Sequence, residues 1–168
     1  MNKMKKELTP QEEMNIMLHE KRVKDVITVM DNVFIEASDK RKNTIWCNKY
    51  INGFERVNCP FTDIESTRKD NGKVIRTNVC IKSPWYNNFS VQVGTFNIVD
   101  AMYEPNGVFD SVDFFAFVTE THVYFISSKL IRNHFDEFEM KTSPSDIEKY
   151  ILVPLDFIES NYTRKLLL

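Results

Sequence analysis

Hydrophobic side chains near the start of the chain recur at intervals of three and four, which predicts one amphipathic helix from about Pro10 to about Asp31. Thr9 precedes this helix and can supply its N-cap, and acidic residues follow in the first turn, where the positive end of the helix dipole favours them. The stretch 32–37 could either extend the helix or end it. The residues before Thr9, 1–8, are predicted to form a flexible leader.

The pattern changes from helical to alternating after Gly53. Ser38 and Asp39 could cap a second helix that ends at Gly53. Beyond it, 54–67 and 73–83 are predicted to be two strands joined by a turn with Asn71-Gly72 at its core. Alternation along the second strand predicts an apolar face of Ile75, Thr77, Val79 and Ile81 and a polar face of Arg76, Asn78, Cys80 and Lys82.

The second half of the chain alternates strongly β-forming runs with turn signals. Strands are predicted at 112–118 and 122–127, and a shorter one at 89–93. Helical segments are predicted at 129–138 and 157–167, the latter capped by Asp156, with 143–146 capping a short turn or helix before 150–153. This order predicts a single α/β or α+β domain over 9–168, with N-terminal helices, a central mixed β-sheet built around the hairpin, and a C-terminal helix.

Composition narrows the possible functions. The 24 acidic and 22 basic residues give a net charge of −2, which excludes a polybasic tail that binds by charge alone. With 4 glycines and neither GxxxxGK[ST] nor GxGxxG, a glycine-rich phosphate loop is excluded. Cys47, Cys59 and Cys80 lack zinc-site spacing, so we expect a reducing cytoplasm. No run approaches the ~18 apolar residues of a membrane span, so we expect no membrane association.

The candidate catalytic residues lie between Pro60 and Ser83. Asp63 and Glu65 are two residues apart on a predicted strand, so both should lie on the same face, and Lys82 can project from the polar face of the paired strand. Two carboxylates and an ammonium group at one concave surface suit a metal-dependent phosphodiesterase. Asp63 and Glu65 would bind Mg²⁺ (or Mn²⁺), and Lys82 would orient the attacking water or stabilise developing charge.

This block resembles the PD-(D/E)xK nuclease superfamily, which includes restriction endonucleases and Holliday-junction resolvases. The core order of that family is a helix, an Asp-bearing strand, a turn and a strand ending in (D/E)xK, and Asp63 and Lys82 stand at the matching positions. The segment VDFFAFVTETHVYFIS, 112–127, is similar to a strand pair that many members carry downstream.

The resemblance covers about 54–127 and implies a restriction-endonuclease-like domain. It also implies a Mg²⁺-dependent DNA endonuclease of phage, mobile-element or restriction type, acting in the cytoplasm of its host. A restriction enzyme that cuts both strands of a palindrome would form a homodimer.

The chain departs from the family pattern at the second motif. The residue two before Lys82, acidic in the family, is Cys80, and a thiol is a poor Mg²⁺ ligand. Either Glu65 has taken over the role of the missing carboxylate, or the site is inactive and Cys80→Glu would return an oxygen ligand. Family members often add a glutamate from the preceding helix, and Glu20 and Glu36 are both available.

The basic residues of the hairpin are the predicted DNA contacts, namely Arg68, Lys69, Lys73 and Arg76. A charged hairpin is, however, more often a solvated surface with weak ion pairs. Two other function classes therefore stay open: an inactive nuclease-fold protein that binds DNA or protein, and an unrelated small protein that acts as an inhibitor. Mg²⁺-dependent cleavage would separate the nuclease from both of them.

Overall fold

The computed structural model describes residues 9–40, 46–51, 59–97, 102–142 and 148–168, without the side chains of 33–40, 46, 95–97 and 102–104. The predicted leader 1–8 and the predicted cap 143–146 lie outside the described residues. Of the helices within them, none combines the length and the hydropathy needed to cross a membrane.

The described chain contains one long helix, several short helices and a series of mostly short strands. In chain order the elements are α1 (Pro10–Lys40), β1 (Trp46–Tyr50), β2 (Ile64–Arg68), β3 (Val74–Ile81), β4 (Asn88–Asn97), β5 (Met102–Pro105), α2 (Val108–Ser111), β6 (Phe114–Val118), β7 (His122–Ser127), α3 (Ser128–Asn133), a 3₁₀ turn (Phe135–Glu137), β8 (Glu139–Thr142), β9 (Glu148–Pro154), α4 (Leu155–Asn161) and β10 (Arg164–Leu167).

These strands form two sheets, and the predicted mixture of α and β structure is confirmed. The first sheet has the order β1-β2-β3-β6-β7-β10, and the second has the order β5-β4-β9-β8. Neighbouring strands are antiparallel except for β3 and β6, which are parallel. Because parallel neighbours need a long crossover, the chain leaves β3, builds β4, β5 and α2, and then returns as β6.

The predicted hairpin is confirmed, but its first strand is shorter than the predicted 54–67: β2 begins at Ile64, 59–63 form no strand, and 54–58 lie outside the described residues. Its strands are antiparallel, with Ile64 opposite Thr77. Gly72 in the turn has a φ of 70°, in the left-handed region that glycine adopts without strain. The Asn71 side chain accepts a hydrogen bond from the Lys73 N–H, so the turn residues that predicted the hairpin also stabilise it.

Helix α1 runs beyond its predicted end, so 32–37 extend it. The Glu12 N–H donates a hydrogen bond to Thr9 Oγ1 over 3.2 Å, which confirms the predicted N-cap. The middle of the helix packs on the first sheet and buries one apolar stripe. The stripe and the sheet residues beneath it form one buried cluster, which comprises Val23, Val26, Met30, Ile64, Val79, Ala116, Val118 and Val123.

The other face of the first sheet packs on the second sheet. Phe117 of β6 meets Phe89 of β4 edge to face, with ring centroids 5.0 Å apart, and stacks beside Phe115 at 5.9 Å. All three side chains are fully buried. β6 is therefore covered on both faces, which suits its nearly continuous apolar sequence.

Two predicted helices are wrong, because pairing with distant strands determines the conformation. Where 38–53 is described, it forms the end of α1 and the strand β1, which pairs with β2, instead of the predicted second helix. The Ser66 hydroxyl of β2 donates to Asn48 Oδ1 of β1 over 2.6 Å. The predicted terminal helix ends at Asn161, and Arg164–Leu167 is a strand paired with β7.

The other predicted segments agree in type. The strand 122–127 is β7 at its predicted bounds, and 112–118 contains β6. The helix predicted over 129–138 is α3 followed by the 3₁₀ turn. The strand predicted over 89–93 belongs to the ten-residue β4.

Replacing Phe117 with alanine should strongly destabilise the protein, because its ring joins the two sheets at a fully buried position. Phe→Ala changes in a core typically cost about 3–5 kcal/mol of unfolding free energy. Urea denaturation followed by circular dichroism measures the change. Trp85→Ala is the control: this side chain is 84% exposed, and its loss should cost less than about 0.5 kcal/mol. Equal effects of the two substitutions would contradict the packing described above.

Candidate functional site

Asp63 lies immediately before β2 and is bound by the backbone on several sides. Its N–H donates to the Thr77 carbonyl over 2.9 Å, and its carbonyl accepts the Ile51 N–H over 2.9 Å. Its carboxylate oxygen Oδ2 accepts the Val79 N–H over 2.7 Å. The residue is only 1% exposed. Because β2 begins only at Ile64, β3 has no strand neighbour on this side at Val79. The Asp63 carboxylate supplies the acceptor that a neighbouring strand would otherwise provide.

His19 of α1 completes the same arrangement. Its Nε2 lies 3.2 Å from the Val79 carbonyl oxygen and 3.7 Å from Asp63 Oδ2. The N–H and the carbonyl of Val79 point to the same edge of the strand, and both now have partners. Since unpaired backbone groups are costly when buried, Asp63 and His19 serve β3 as side-chain caps of its open edge.

Glu65 contacts different partners from those of Asp63. It stands opposite Arg76 in the hairpin, and the Arg76 Nε lies 3.9 Å from Glu65 Oε2. The same carboxylate oxygen accepts a hydrogen bond from the Cys59 thiol at 3.6 Å. On the other side, Glu65 stands opposite Lys49 of β1. Its charge is thus placed among cations of the neighbouring strands.

Lys82 lies too far along the sheet to join either carboxylate. The Asp63 carboxylate contacts β3 at Val79, and Lys82 is three residues further along the strand direction, or about 10 Å at ~3.3 Å per residue. Glu65 lies further away still, because it stands opposite Arg76. Its Nζ donates to the Ser83 carbonyl over 2.9 Å. The groove that Lys82 lines includes neither Asp63 nor Glu65. The structure therefore does not bring together the three residues predicted to converge.

Cys80 is buried, whereas the sequence placed it on a polar face. It belongs to the core between the two sheets, and its thiol donates to Asn78 Oδ1 at 3.1 Å. Burial raises the pKa of the Cys80 thiol, and the nearby Asp63 carboxylate raises it further. Alternation predicted the side of β3 on which Cys80 lies, but the predicted polar, exposed character of that side is wrong at Cys80, because the second sheet covers it.

These residues do not fit a Mg²⁺ site. The Asp63 carboxylate is buried and bonded to the backbone, Glu65 faces cations, and Cys80 holds a protonated, soft sulfur. Among the described residues, no group of three or more His, Cys, Asp or Glu could hold a metal ion. Of the two upstream glutamates that could have joined the site, Glu20 forms an ion pair with Lys24 at 2.9 Å. The side chain of Glu36 is not among those that the structure describes.

Three of the predicted DNA contacts, Arg68, Lys69 and Lys73, lie at the tip of the hairpin, at the other end of β3 from Lys82, whereas Arg76 lies within β3 opposite Glu65. Lys73 and Lys82 are nine residues apart along the strand direction, about 30 Å. Arg68 is paired with Asp70, with 2.7 Å between Arg68 Nε and Asp70 Oδ1. Lys69 and Lys73 are exposed. Much of the positive charge at the tip is therefore free to meet solvent or a ligand.

A groove of about 930 Å³ lies where β3 and β6 end, and we call it the carboxyl-end groove. Because these two strands are parallel, their carboxyl ends meet at one edge of the sheet, where α/β proteins commonly bind ligands. Helix α1 lines one side, and α4 and β10 line another. The chemically active lining residues are Arg22, Lys82, Glu120, His122, Tyr124, Glu159 and Lys165.

Three of these residues form a hydrogen-bonded cluster. The Tyr124 hydroxyl donates to Glu159, and Lys165 Nζ lies 3.6 Å from Glu159 Oε2 and 5.1 Å from the Tyr124 ring centroid. Burial raises the pKa of Tyr124, the tyrosine hydrogen bond lowers that of Glu159, and contact with Tyr124 raises that of Lys165. At neutral pH the cluster therefore holds a phenol, a carboxylate and an ammonium ion.

The remaining cations of the groove are less compensated. Arg22 Nη1 is 3.8 Å from Asp25 Oδ2, a long ion pair, and Lys82 has no carboxylate within ion-pair distance among the described residues. Sequence analysis missed Arg22, Tyr124 and Lys165. No short-range signal joins them, because they come from α1, β7 and a terminal strand that was predicted to be helical.

Removing the Asp63 carboxylate should weaken the fold even without any metal. Asp63→Ala leaves the Val79 N–H without its acceptor, and loss of a hydrogen bond to a charged group costs about 1.5–3 kcal/mol. Asp63→Asn keeps an acceptor oxygen and should cost less. Urea denaturation in the presence of EDTA measures both, with Asp70→Ala in the exposed turn as the control. Unchanged stability of Asp63→Ala would contradict a structural role and favour a ligand-binding one.

The three cysteines should react with a thiol reagent in order of exposure. Cys47 is exposed and Cys80 is buried. Because the raised pKa keeps the Cys80 thiol protonated at neutral pH, it should react with Ellman's reagent only when the protein unfolds. Cys47→Ser should remove the fastest phase, and Cys80→Ser should leave that phase intact. Loss of the fast phase in Cys80→Ser would show that position 80 is accessible.

Comparison with known proteins does not extend these observations. No protein-family model, curated protein or solved structure matches this chain. The functional interpretation therefore depends on the side chains themselves, above all on the cations of the carboxyl-end groove.

Proposed function

We propose that this protein binds DNA in the carboxyl-end groove and that it does so without a bound metal ion. The observation that carries the proposal is the convergence of Arg22, Lys82 and Lys165 from three separate elements on one groove. Cationic side chains supply most of the affinity of proteins for the phosphate backbone. Lys82 contributes the least compensated charge, since its described partner is a carbonyl oxygen.

The charge of the whole chain defines what kind of binding to expect. The net charge of −2 means that long-range attraction to DNA is weak. Affinity must then come from local contacts in the groove, where His122 lies beside the cations as a further hydrogen-bonding side chain. Binding should be modest at physiological salt and should fall steeply as salt is added.

The resemblance to PD-(D/E)xK nucleases supports a nucleic-acid ligand. The order of a long helix, a hairpin and a downstream strand pair agrees with the order in that family. A metal-dependent endonuclease is the second candidate function, and one observation favours it. The Asp63 carboxylate acts on the pKa of Cys80, so it lies near the position where the family has its second acid.

We nevertheless favour binding without cleavage, because the Asp63, Glu65 and Cys80 side chains do not fit Mg²⁺. A cytoplasmic location is consistent with the three free cysteines. A protein partner, as for an inhibitor, is the alternative if the groove takes no nucleic acid.

Substitution of the groove lysines should lower the salt dependence of DNA binding. Fluorescence anisotropy of a labelled duplex, titrated at several salt concentrations, gives the slope of log K against log salt. Each lost phosphate contact should reduce its magnitude by about 0.9 for duplex DNA. We expect this reduction for Lys82→Gln and for Lys165→Gln. Lys129→Gln is the matched control, because this exposed lysine lies in α3 beyond the far end of β7.

Two further arms separate the remaining possibilities. A Lys69→Gln/Lys73→Gln variant tests the predicted hairpin contacts. If the slope of log K against log salt falls in this variant but not in the groove variants, the DNA-binding site is the hairpin tip. Incubation of plasmid and linear DNA with Mg²⁺ or Mn²⁺ tests cleavage. Metal-dependent cleavage that is lost in Asp63→Asn and Lys82→Ala would overturn binding without catalysis. Absence of any DNA binding would reject both candidate functions and favour a protein partner.

A further inference from the structure

The first turns of α1 carry large apolar side chains that nothing in the described chain covers. Met14 is 65% exposed, Met17 69% and Leu18 49%. Residues further along the same helix, such as Val23 and Val26, are fully buried against the first sheet. A cluster of exposed apolar side chains on one helix commonly marks an interaction surface.

Two of these residues, Met14 and Met17, lie on the opposite side of α1 from the face that packs on the sheet. At about 100° per residue, Met14 and Met17 lie about 150° round the helix from the stripe of Val23, Val26 and Met30. They therefore point away from the protein core, and α1 can contact another molecule along this side without disturbing its own packing.

The charges around these methionines have a symmetrical arrangement. Glu13 and Lys21 are each four residues from Met17, one on either side, and both are exposed. Neither forms an ion pair with any of the described residues. Glu20, three residues after Met17, is compensated by its ion pair with Lys24. The uncompensated charges around Met17 are therefore an acidic end at Glu13 and a basic end at Lys21, an order that is complementary to an inverted copy of itself.

We infer that a second copy of this chain covers this surface, with the two α1 helices antiparallel about a two-fold axis at Met17. The axis brings Met17 against its own counterpart and places Glu13 of each copy at the level of Lys21 of the other. An isologous contact of this kind uses the same residues on both subunits and closes into a dimer. Leu18 and Arg22 also line the carboxyl-end groove, so each groove borders the interface.

A second copy fits better than an unrelated partner because the complementarity is internal to one helix. An arbitrary partner helix would need its own matching order of basic, apolar and acidic residues, whereas a second copy supplies that order by symmetry. The apolar part is small, since it involves Met14, Met17 and Leu18. The interface should fall below the standard size of about 1,600 Å², so the dimer should dissociate in the micromolar range.

Sedimentation velocity of the full chain, from low to high micromolar concentration, tests the inference. The wild type should shift from monomer to dimer with increasing concentration. Met17→Lys places two like charges at the two-fold axis and should give monomer throughout. Lys129→Glu, an exposed charge reversal on α3, should dimerise like the wild type. Because Met17 is exposed, far-UV circular dichroism should show an unchanged fold for the variant.

A charge swap tests the antiparallel pairing itself. Lys21→Glu faces Glu13 of the other copy and should weaken the dimer at least tenfold, and Glu13→Lys combined with Lys21→Glu should restore it. A wild type that is monomeric at every concentration would overturn the inference. So would a dimer that survives Met17→Lys, or a double variant that associates no better than Lys21→Glu alone. None of these measurements depends on DNA binding, so the two proposals can fail separately.

Discussion

The parallel pairing of β3 with β6 is the constraint on which the rest of the structure depends. Parallel neighbours cannot be joined by a tight turn, so the chain between them must travel from one end of the sheet back to the other. It uses that crossover to build β4, β5 and α2, and β4 becomes part of the second sheet. The crossover thereby covers the face of the first sheet that α1 leaves open. The Phe89–Phe117 contact is the direct result of this arrangement.

The same pairing creates both the groove and the need for a buried carboxylate. Two parallel strands end at the same edge, and their ends leave a groove between α1 and α4. On its other side, β3 extends beyond β2, so Val79 has backbone groups with no strand to receive them. Asp63 and His19 meet that need. Backbone hydrogen bonding thus explains the presence of Asp63, the residue that suggested a metal site. Lys82, which belongs to the same sequence motif, lines the carboxyl-end groove instead.

Local signals predicted much of the fold. Thr9 identified the start of α1, Asn71 and Gly72 identified the hairpin, and β7 has its predicted bounds. Each of these depends on residues close together in the chain. β1 and β10 were predicted as helices because their strand character comes from distant partners, β2 and β7. The site was harder to predict for the same reason, since Lys82 and Lys165 meet only after the whole domain has folded.

Position 80 shows most clearly why a motif needs its three-dimensional context. Alternation along β3 was correct, in that Cys80 and Val79 lie on opposite faces, but α1 covers the Val79 face and the second sheet covers the Cys80 face, so both are core. A glutamate at position 80 would therefore place a carboxylate in an apolar layer and close to Asp63. Without a cation, burial and the like charge of Asp63 would both oppose its ionisation. The cost of desolvating the carboxylate would destabilise the packing of the two sheets. A single oxygen at this position cannot restore a metal site unless the second sheet also opens a path for solvent. The cysteine, by contrast, fits the core between the two sheets as it stands, because a protonated thiol carries no charge to be buried.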